Sequence, residues 1–232
     1  MIERPVLENR FDYGSVERVL VDRKWRYGPE GLALPAITRI LNATKSEESK
    51  QALEDWKARV GEEEAERISK ESTGIGDAMH ANLENWLLDT GKDQEGAYLA
   101  KLLTKLMQLE INKHCDEVWG VEVPVYLPGM YGGILDMSGV WRGKRSVIDF
   151  KNSRKPKRKE WIEDYRCQCG AYGIAHNALF NSGIEQAVVL VACWETGTVQ
   201  EFVFSGDEYR DCETLWVSKL DEYYSTNPLP SK

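Results

Sequence analysis

The sequence lacks any long hydrophobic run. Its apolar stretches fall well short of the roughly 20 residues that span a bilayer. Residues 1–11 (MIERPVLENRF) also lack the apolar core that a signal peptide carries. These absences argue against a membrane or secreted protein. We therefore expect a soluble, cytoplasmic protein that has no membrane partner.

Cysteine is scarce, and its number is odd. The five cysteines do not form a closed set of disulfides, and inside a cell we expect them to stay reduced. Cys167 and Cys169 lie two residues apart in a predicted helix, where such neighbours point in different directions. This spacing disfavours a metal or iron–sulfur role for the pair.

Apolar residues at three- and four-residue spacing indicate several helices. The predicted helical segments are 46–60, 62–71, 77–88, 98–114, 159–179 and 206–224. We expect residues 72–76 (STGIG) to separate the second helix from the third, which Asp77 would cap. In the fourth helix the residues expected to face the core are Leu99, Leu102, Leu103, Leu106 and Leu109.

Alternating apolar residues and turn signals indicate strands at 117–127, 187–194 and 199–204, with a hairpin at 131–151. The order of these elements predicts a mixed α/β fold, in which helices flank a small mixed sheet and form an N-terminal lobe. With 232 residues, 42% of them hydrophobic, the chain is long enough for one large domain.

The predicted hairpin carries an unusual set of charges. Asp149 and Lys151 share one face of its second strand, because alternate residues of a strand point the same way. Asp136, in the first strand, can lie across from Asp149. Two carboxylates at close range repel each other, and a divalent cation with oxygen ligands, Mg²⁺ or Mn²⁺, would relieve that repulsion. A surface hairpin with an ordinary Asp149–Lys151 salt bridge is the alternative.

Positive charge is concentrated just beyond this point. Residues 142–159 contain nine basic residues and one acidic residue, a net charge of +8 in a chain whose total is −8. A local basic patch of this kind is what binding to nucleic acid requires. A solvated, flexible basic loop is the alternative interpretation.

Four motifs occur together in a fixed order. They are Gly76-x-x-x-His80, Gly133-x-x-Asp136, Asp149-Phe150-Lys151 and Gln168-x-x-x-Tyr172. This arrangement resembles the PD-(D/E)XK nuclease superfamily. With the histidine motif it is similar to the RecB-like exonuclease branch, which includes mitochondrial genome maintenance exonucleases and phage-encoded nucleases. The resemblance covers about residues 35 to 205. Asn152 stands where many relatives have threonine.

The resemblance implies a role for each motif. His80, Asp136, Asp149 and the backbone carbonyl of Phe150 would bind Mg²⁺ or Mn²⁺. Lys151 would act on the attacking water, and a metal ion beside it would lower its pKa. Supporting residues would be Gln168 and Tyr172, which brace the site and touch the DNA backbone, and Glu84, which is either a partner of His80 or solvated. Without the other motifs, His80 reads as an ordinary buried histidine.

The resemblance also implies fold, partner and activity. It predicts a restriction-endonuclease-like core at 116–225, with a helical N-terminal lobe at 35–115, in a single nuclease domain spanning 1–232. The expected DNA-contacting residues are Ser153, Arg154, Lys155, Lys157, Arg158 and Lys159. We expect a metal-dependent DNA exonuclease that acts on single-stranded or frayed ends and has no iron–sulfur cluster. A structure-specific endonuclease and a non-catalytic module that binds DNA ends are the alternatives.

Overall fold

The computed structural model describes residues 2–14, 19–21, 24–27 and 34–227. The strands in this part of the chain are β1 (Val6–Leu7), β2 (Val19–Val21), β3 (Lys24–Tyr27), β4 (Leu34–Pro35), β5 (Cys115–Leu127), β6 (Tyr131–Trp141), β7 (Lys144–Ser153), β8 (Gln186–Cys193) and β9 (Thr198–Ser205). Six of them form a mixed sheet in the order β1-β5-β6-β7-β8-β9, and β2, β3 and β4 form a small antiparallel sheet.

Helices cover both faces of the larger sheet. They are α1 (Ile37–Ala43), α2 (Glu47–Val60), α3 (Glu62–Leu87), α4 (Tyr98–His114), α5 (Glu163–Phe180) and α6 (Asp207–Thr226), with a short 3-10 helix at Lys159–Trp161. The predicted fold class, a mixed sheet with flanking helices and a helical N-terminal part, is therefore confirmed and is consistent with a restriction-endonuclease-like core. None of the described helices is long and apolar enough to span a membrane.

The predicted hairpin is formed by β6 and β7. Its turn is Arg142-Gly143, and both residues have positive φ, 51° and 76°, as a tight two-residue turn requires. The next connection passes through α5 and makes β8 parallel to β7. This crossover places α5 beside the strand that carries Asp149 and Lys151.

The sheet separates two hydrophobic cores. One core contains α1, α5 and α6, with Tyr131 and Trp216 among its fully buried side chains. The other contains α3 and α4, with Met79, Met107 and Phe150 against the opposite face of the sheet. Helix α2 contributes no buried residue and ends at Gly61, whose φ is 89°. The central strands are thus covered on both sides, which explains why β8 is buried throughout and apolar after Gln186.

The expected break at residues 72–76 is wrong, because α3 runs without interruption from Glu62 to Leu87. Asp77 is therefore inside a helix and caps nothing. The reason lies in the contact with β7: the Asn152 amide donates to the Ser72 carbonyl oxygen at 3.0 Å. A Cβ at Gly76 would lie 3.0 Å from the Asn152 side chain. Glycine here allows the helix to approach the strand and does not end the helix.

The expected core face of α4 is also wrong in part. Leu103 is fully buried, but Leu102 and Leu109 are exposed, and Leu99 and Leu106 are only partly buried. The residues of α4 that are buried are Ala100, Leu103, Thr104, Met107, Gln108 and Ile111. The buried stripe is therefore rotated by one residue, about 100°, from the predicted one.

Candidate metal-binding site

Strand β6 leaves its partner β7 at Asp136. The ladder between the two strands ends at the pair Met137–Ile148. One residue beyond it, the Phe150 backbone N–H donates to Asp136 Oδ2 at 2.7 Å. The carboxylate thus accepts a hydrogen bond from β7 where the ladder has stopped, which leaves a polar fork between the strands. Asp136 is buried there, with 7% of its surface exposed.

In both β5 and β6, the side chains switch from one face of the sheet to the other at this point. Leu135 packs in the core of α5 and α6, whereas Met137, two residues later, packs in the core of α3 and α4. Residues two apart in a regular strand share a face, so β6 is irregular at Asp136. Val121 and Val123 of β5 differ in the same way. Between them lies Glu122, whose φ of 50° is uncommon for a residue with a side chain.

The irregular residues of the two strands are opposite each other. Val121 pairs with Met137 and Val123 with Leu135, so Glu122 faces Asp136 across the strand pair. Backbone conformations of this kind cost free energy and cluster at functional sites. The local sequence pattern does not mark Glu122 as a site residue.

Asp149 and Lys151 lie on the face of β7 opposite to that of Phe150. The Lys151 ammonium donates to Asp149 Oδ1 at 2.7 Å, and Oδ2 is 2.6 Å from the same nitrogen. Burial raises the pKa of Asp149 to about 6, although Lys151 opposes that rise. Burial alone would lower the pKa of Lys151, but the carboxylates of Asp149 and Asp136 raise it above its usual value. The lowering expected of a lysine beside a bound metal ion stays a prediction.

His80 reaches the fork from α3. Its Nε2 atom lies 3.0 Å from the Phe150 carbonyl oxygen, and its Nδ1 atom lies 3.3 Å from Glu122 Oε1 and 3.7 Å from Asp136 Oδ1. Burial would lower the pKa of His80, but Asp136 and Glu122 outweigh it and raise the pKa to about 9. The structure thus brings the first three motifs together at one point.

The donor atoms at this point fit a hard divalent cation. Ligand atoms of His80, Glu122 and Asp136 lie within 4.8 Å of one another. His80 Nε2 lies 3.0 Å from the Phe150 oxygen, a distance at which the ring N–H donates a hydrogen bond to the carbonyl. Asp149 Oδ2 is buried and, beyond its ion pair, has no hydrogen-bond donor among the described residues.

The site opens into a cleft of about 620 Å³ between α3, β5, β7 and α5. Glu84 lines this cleft together with Lys151 and Tyr165, whose ring centre is 5.3 Å from the Lys151 ammonium. The carboxylate that contacts His80 belongs to Glu122, however, and the described contacts of His80 include none to Glu84. Of the two interpretations of Glu84, the structure favours a solvated cleft residue.

Gln168 and Tyr172 lie behind the site on α5. The Gln168 amide donates to the Tyr172 hydroxyl at 2.8 Å. Tyr172 is only 3% exposed, and its ring packs under Gly133, where a Cβ would lie 3.2 Å from it. Burial and the nearby carboxylates of Asp136 and Asp149 raise its pKa well above the usual range. Tyr172 is therefore placed to brace the fork, and too deeply buried for the expected contact with DNA.

The basic segment after β7 is partly neutralised. Arg154 pairs with Glu195, and Lys159 pairs with Glu208. Ser153 is buried, and its hydroxyl donates to the Lys155 carbonyl oxygen at 2.8 Å, so it is not presented to a ligand. The basic residues of this segment that have no ion pair among the described residues are Lys155, Lys157 and Arg158.

A second group of possible ligands, Glu110, His114 and Glu201, lies at the hairpin turn. Arg142 already occupies this position: its guanidinium lies 2.5 Å from Glu201 and 3.0 Å from His114. The arginine supplies the positive charge that a metal would bring, so this group reads as an ion-pair network.

Three curated proteins that are similar to this chain carry the same name. The chain is 29% identical to Mitochondrial genome maintenance exonuclease 1 of Xenopus tropicalis over 211 residues, 28% to that of Homo sapiens over 202 and 30% to that of Mus musculus over 208. No protein-family model matches. Each alignment covers 82% of this chain but only 57%, 58% and 59% of the relatives. The chain thus spans less than two thirds of their length. This distant homology confirms the resemblance to the RecB-like branch of the PD-(D/E)XK nucleases.

Proposed function

We propose that this chain, a distant homologue of mitochondrial genome maintenance exonuclease 1, is a metal-dependent DNA exonuclease that hydrolyses phosphodiester bonds at single-stranded or frayed ends. One observation carries the proposal: His80, Asp136 and the Phe150 carbonyl meet at a fork beside Asp149 and Lys151. They come from α3, β6 and β7, and no packing requirement explains why polar groups from three elements gather in a buried fork.

The residues that would hold the ion are His80, Asp136, Asp149 and the Phe150 carbonyl oxygen. One imidazole among oxygen ligands suits Mn²⁺ and tolerates Mg²⁺. When bound, such an ion lowers the pKa of water and offsets negative charge on a phosphate. Burial, the largest cause, raises the pKa of Asp149, and the positive charges of Lys151 and His80 oppose that rise.

Lys151 would act as a hydrogen-bond donor to the reacting phosphate. Its ammonium is held by Asp149 on one side and by the ring of Tyr165 on the other, and it lines the cleft. A cation fixed in this way can donate to a non-bridging phosphate oxygen and orient the attacking water, which stabilises the charge that develops during hydrolysis.

Glu122 would fix the orientation of His80. A hydrogen bond from Nδ1–H to a carboxylate would hold the ring with Nε2 toward the Phe150 carbonyl oxygen, as in many metal sites whose histidine is oriented by an acidic partner. An ion bound there would replace the hydrogen bond that joins Nε2 to that oxygen. The positive φ of Glu122 supports this role, because it directs the side chain toward the fork instead of into the regular alternation of β5.

We further propose that the whole chain forms a single nuclease domain, with 35–115 as its helical lobe and 116–225 as its core. The packing of α1 with α5 on one face of the sheet, and of α3 with β7 on the opposite face, supports a single domain. The lobe would restrict the cleft to a free DNA end. A cytoplasmic location stays a prediction, which microscopy of the tagged protein in its own cells tests.

The test is cleavage of labelled DNA with Mg²⁺ or Mn²⁺. We expect shortening of a linear single strand and no cutting of a circular one, with activity lost in Asp149→Asn and in Lys151→Ala. Asp221→Asn, which changes an exposed aspartate of α6, is the control and should cut normally.

Each failure has its own meaning. Cutting of the circular strand would replace the exonuclease by the endonuclease alternative. A wild-type protein that binds Mn²⁺ and DNA but cuts neither substrate would favour the non-catalytic module that binds DNA ends. Unchanged cutting by Asp149→Asn would refute the assignment of the site.

A further inference from the structure

Trp161 is exposed, although a tryptophan normally contributes its large surface to a core. It leaves 62% of its surface open, whereas Trp141 and Trp216 are fully buried. It ends the short 3-10 helix between β7 and α5. Leaving an indole in water forgoes the free energy of its burial, so its exposure beside the cleft elements suggests a ligand that covers it.

The charges around Trp161 identify the kind of ligand. The Arg158 guanidinium stacks on the ring, 5.1 Å from its centre, and Lys155, Lys157 and Arg158 have no ion pair among the described residues. Glu160 is the one acidic residue between Lys155 and Trp161. An exposed flat ring with a guanidinium over it, in a segment that carries further cations, fits a base whose phosphates contact those cations.

The position of Trp161 relates it to the candidate site. Three residues separate it from Tyr165, which lines the cleft next to Lys151. Their Cα atoms are therefore at most about 15 Å apart. A strand whose phosphate lies at Lys151 would need only a few nucleotides to reach the indole.

We propose that Trp161 is a stacking platform for an unpaired DNA base, with Lys155, Lys157 and Arg158 contacting the adjoining phosphates. The proposal rests on the proposed function only in taking DNA as the ligand. It deepens that function by naming a residue that would select the substrate: the faces of bases in a duplex are already stacked, so the platform favours single strands or frayed ends.

The experiment is fluorescence anisotropy of a labelled single strand in EDTA, where no metal-dependent cutting occurs. Trp161→Ala should bind about five- to 150-fold more weakly than wild type, the range found when one stacked base loses its aromatic partner. Trp161→Phe keeps a ring and should retain most of the affinity. Tyr98→Ala removes an aromatic side chain that is 82% exposed on α4, outside the basic segment, and should bind like wild type.

Two further ligands separate stacking from other effects. Binding to a blunt duplex should be the same for wild type and Trp161→Ala, and a single strand of abasic sugars should abolish the difference between them. Equal affinities for the ordinary single strand would overturn the proposal. An equal loss on single strand and blunt duplex would do the same, since it would indicate a general defect.

The outcome is independent of the nuclease assignment. If wild type binds single strands through Trp161 but cuts no DNA with Mg²⁺ or Mn²⁺, the platform stands and the proposed activity fails. If wild type cuts DNA while Trp161→Ala binds and cuts like it, only the platform fails.

Discussion

Replacing Glu122 by glutamine should weaken Mn²⁺ binding about ten- to a hundredfold, because His80 loses the carboxylate that orients it. That factor corresponds to about 1.4–2.7 kcal/mol. A hydrogen bond to a charged group contributes about 1.5–3 kcal/mol, and the structure has one such contact, His80 Nδ1 to Glu122 Oε1 at 3.3 Å. Glutamine keeps the size of the side chain, so the fold should be retained. Its uncharged oxygen makes a hydrogen bond about half as strong as a carboxylate does, so the loss should lie near the lower end of the range.

Calorimetric titration with Mn²⁺ measures the effect directly, without requiring cleavage. Glu84→Gln is the matched control: it makes the same chemical change in the same cleft, at a side chain that has no described contact with His80. Its Mn²⁺ affinity should equal that of wild type. If both variants lose Mn²⁺ affinity by the same factor, the effect comes from the change in the charge of the cleft. The orienting role of Glu122 is then refuted.

Three other predictions concern stability and DNA affinity. Gly170→Ala should lower the free energy of unfolding, measured with urea, by about 1–3 kcal/mol, because the added Cβ would collide with a backbone carbonyl of α6. Gly74→Ala, where the Cβ meets open space on α3, should raise it by about 0.5–1 kcal/mol. Equal changes in the two variants would contradict this. Burial lowers the pKa of His176 to about 4, so the unfolded chain takes up the proton first, and stability should fall by up to about 3 kcal/mol from about pH 6.5 to pH 4. His176→Gln should lack this dependence, and an identical pH profile would exclude it. Lys155→Gln should reduce the salt slope of single-strand binding by about 0.7, while Lys101→Gln, on α4, should not.

The hairpin and its charges were predictable because the signals for them are local. Alternation, the turn at Arg142-Gly143 and the spacing of Asp149 and Lys151 are all within one short stretch, and the strand pairing follows from them. That Asp136 would lie next to the second strand follows from the same register. Bringing His80 to this hairpin from α3 depended on the resemblance, because no local pattern specifies a contact across 70 residues.

Glu122 was not predictable in the same way. In the run GVEVPV it looks like one polar residue of an alternating strand. Its place in the site depends on facing Asp136 in the neighbouring strand and on a positive φ, and both are properties of the paired strands. A usable signal was available: a lone carboxylate whose register position is opposite a predicted metal ligand.

Two helices show the limit of periodicity. In α4, the stripe beginning at Leu99 and the stripe beginning at Ala100 both contain apolar residues at helical spacing, and only packing on the sheet decides that the second is buried. In α3, Gly74 and Gly76 each weaken a helix by about 1 kcal/mol. The contact of Asn152 with Ser72 and the buried Ile75 and Met79 outweigh that local preference.

Helix α2 has a consequence for how this domain can change over time. Since none of its residues is buried and Gly61 separates it from α3, substitutions on it remove no core contact. Mutations in α2 should therefore change the free energy of unfolding very little. On this helix related chains can diverge in length and charge, and so acquire new surface properties while the fork between β6 and β7 is preserved.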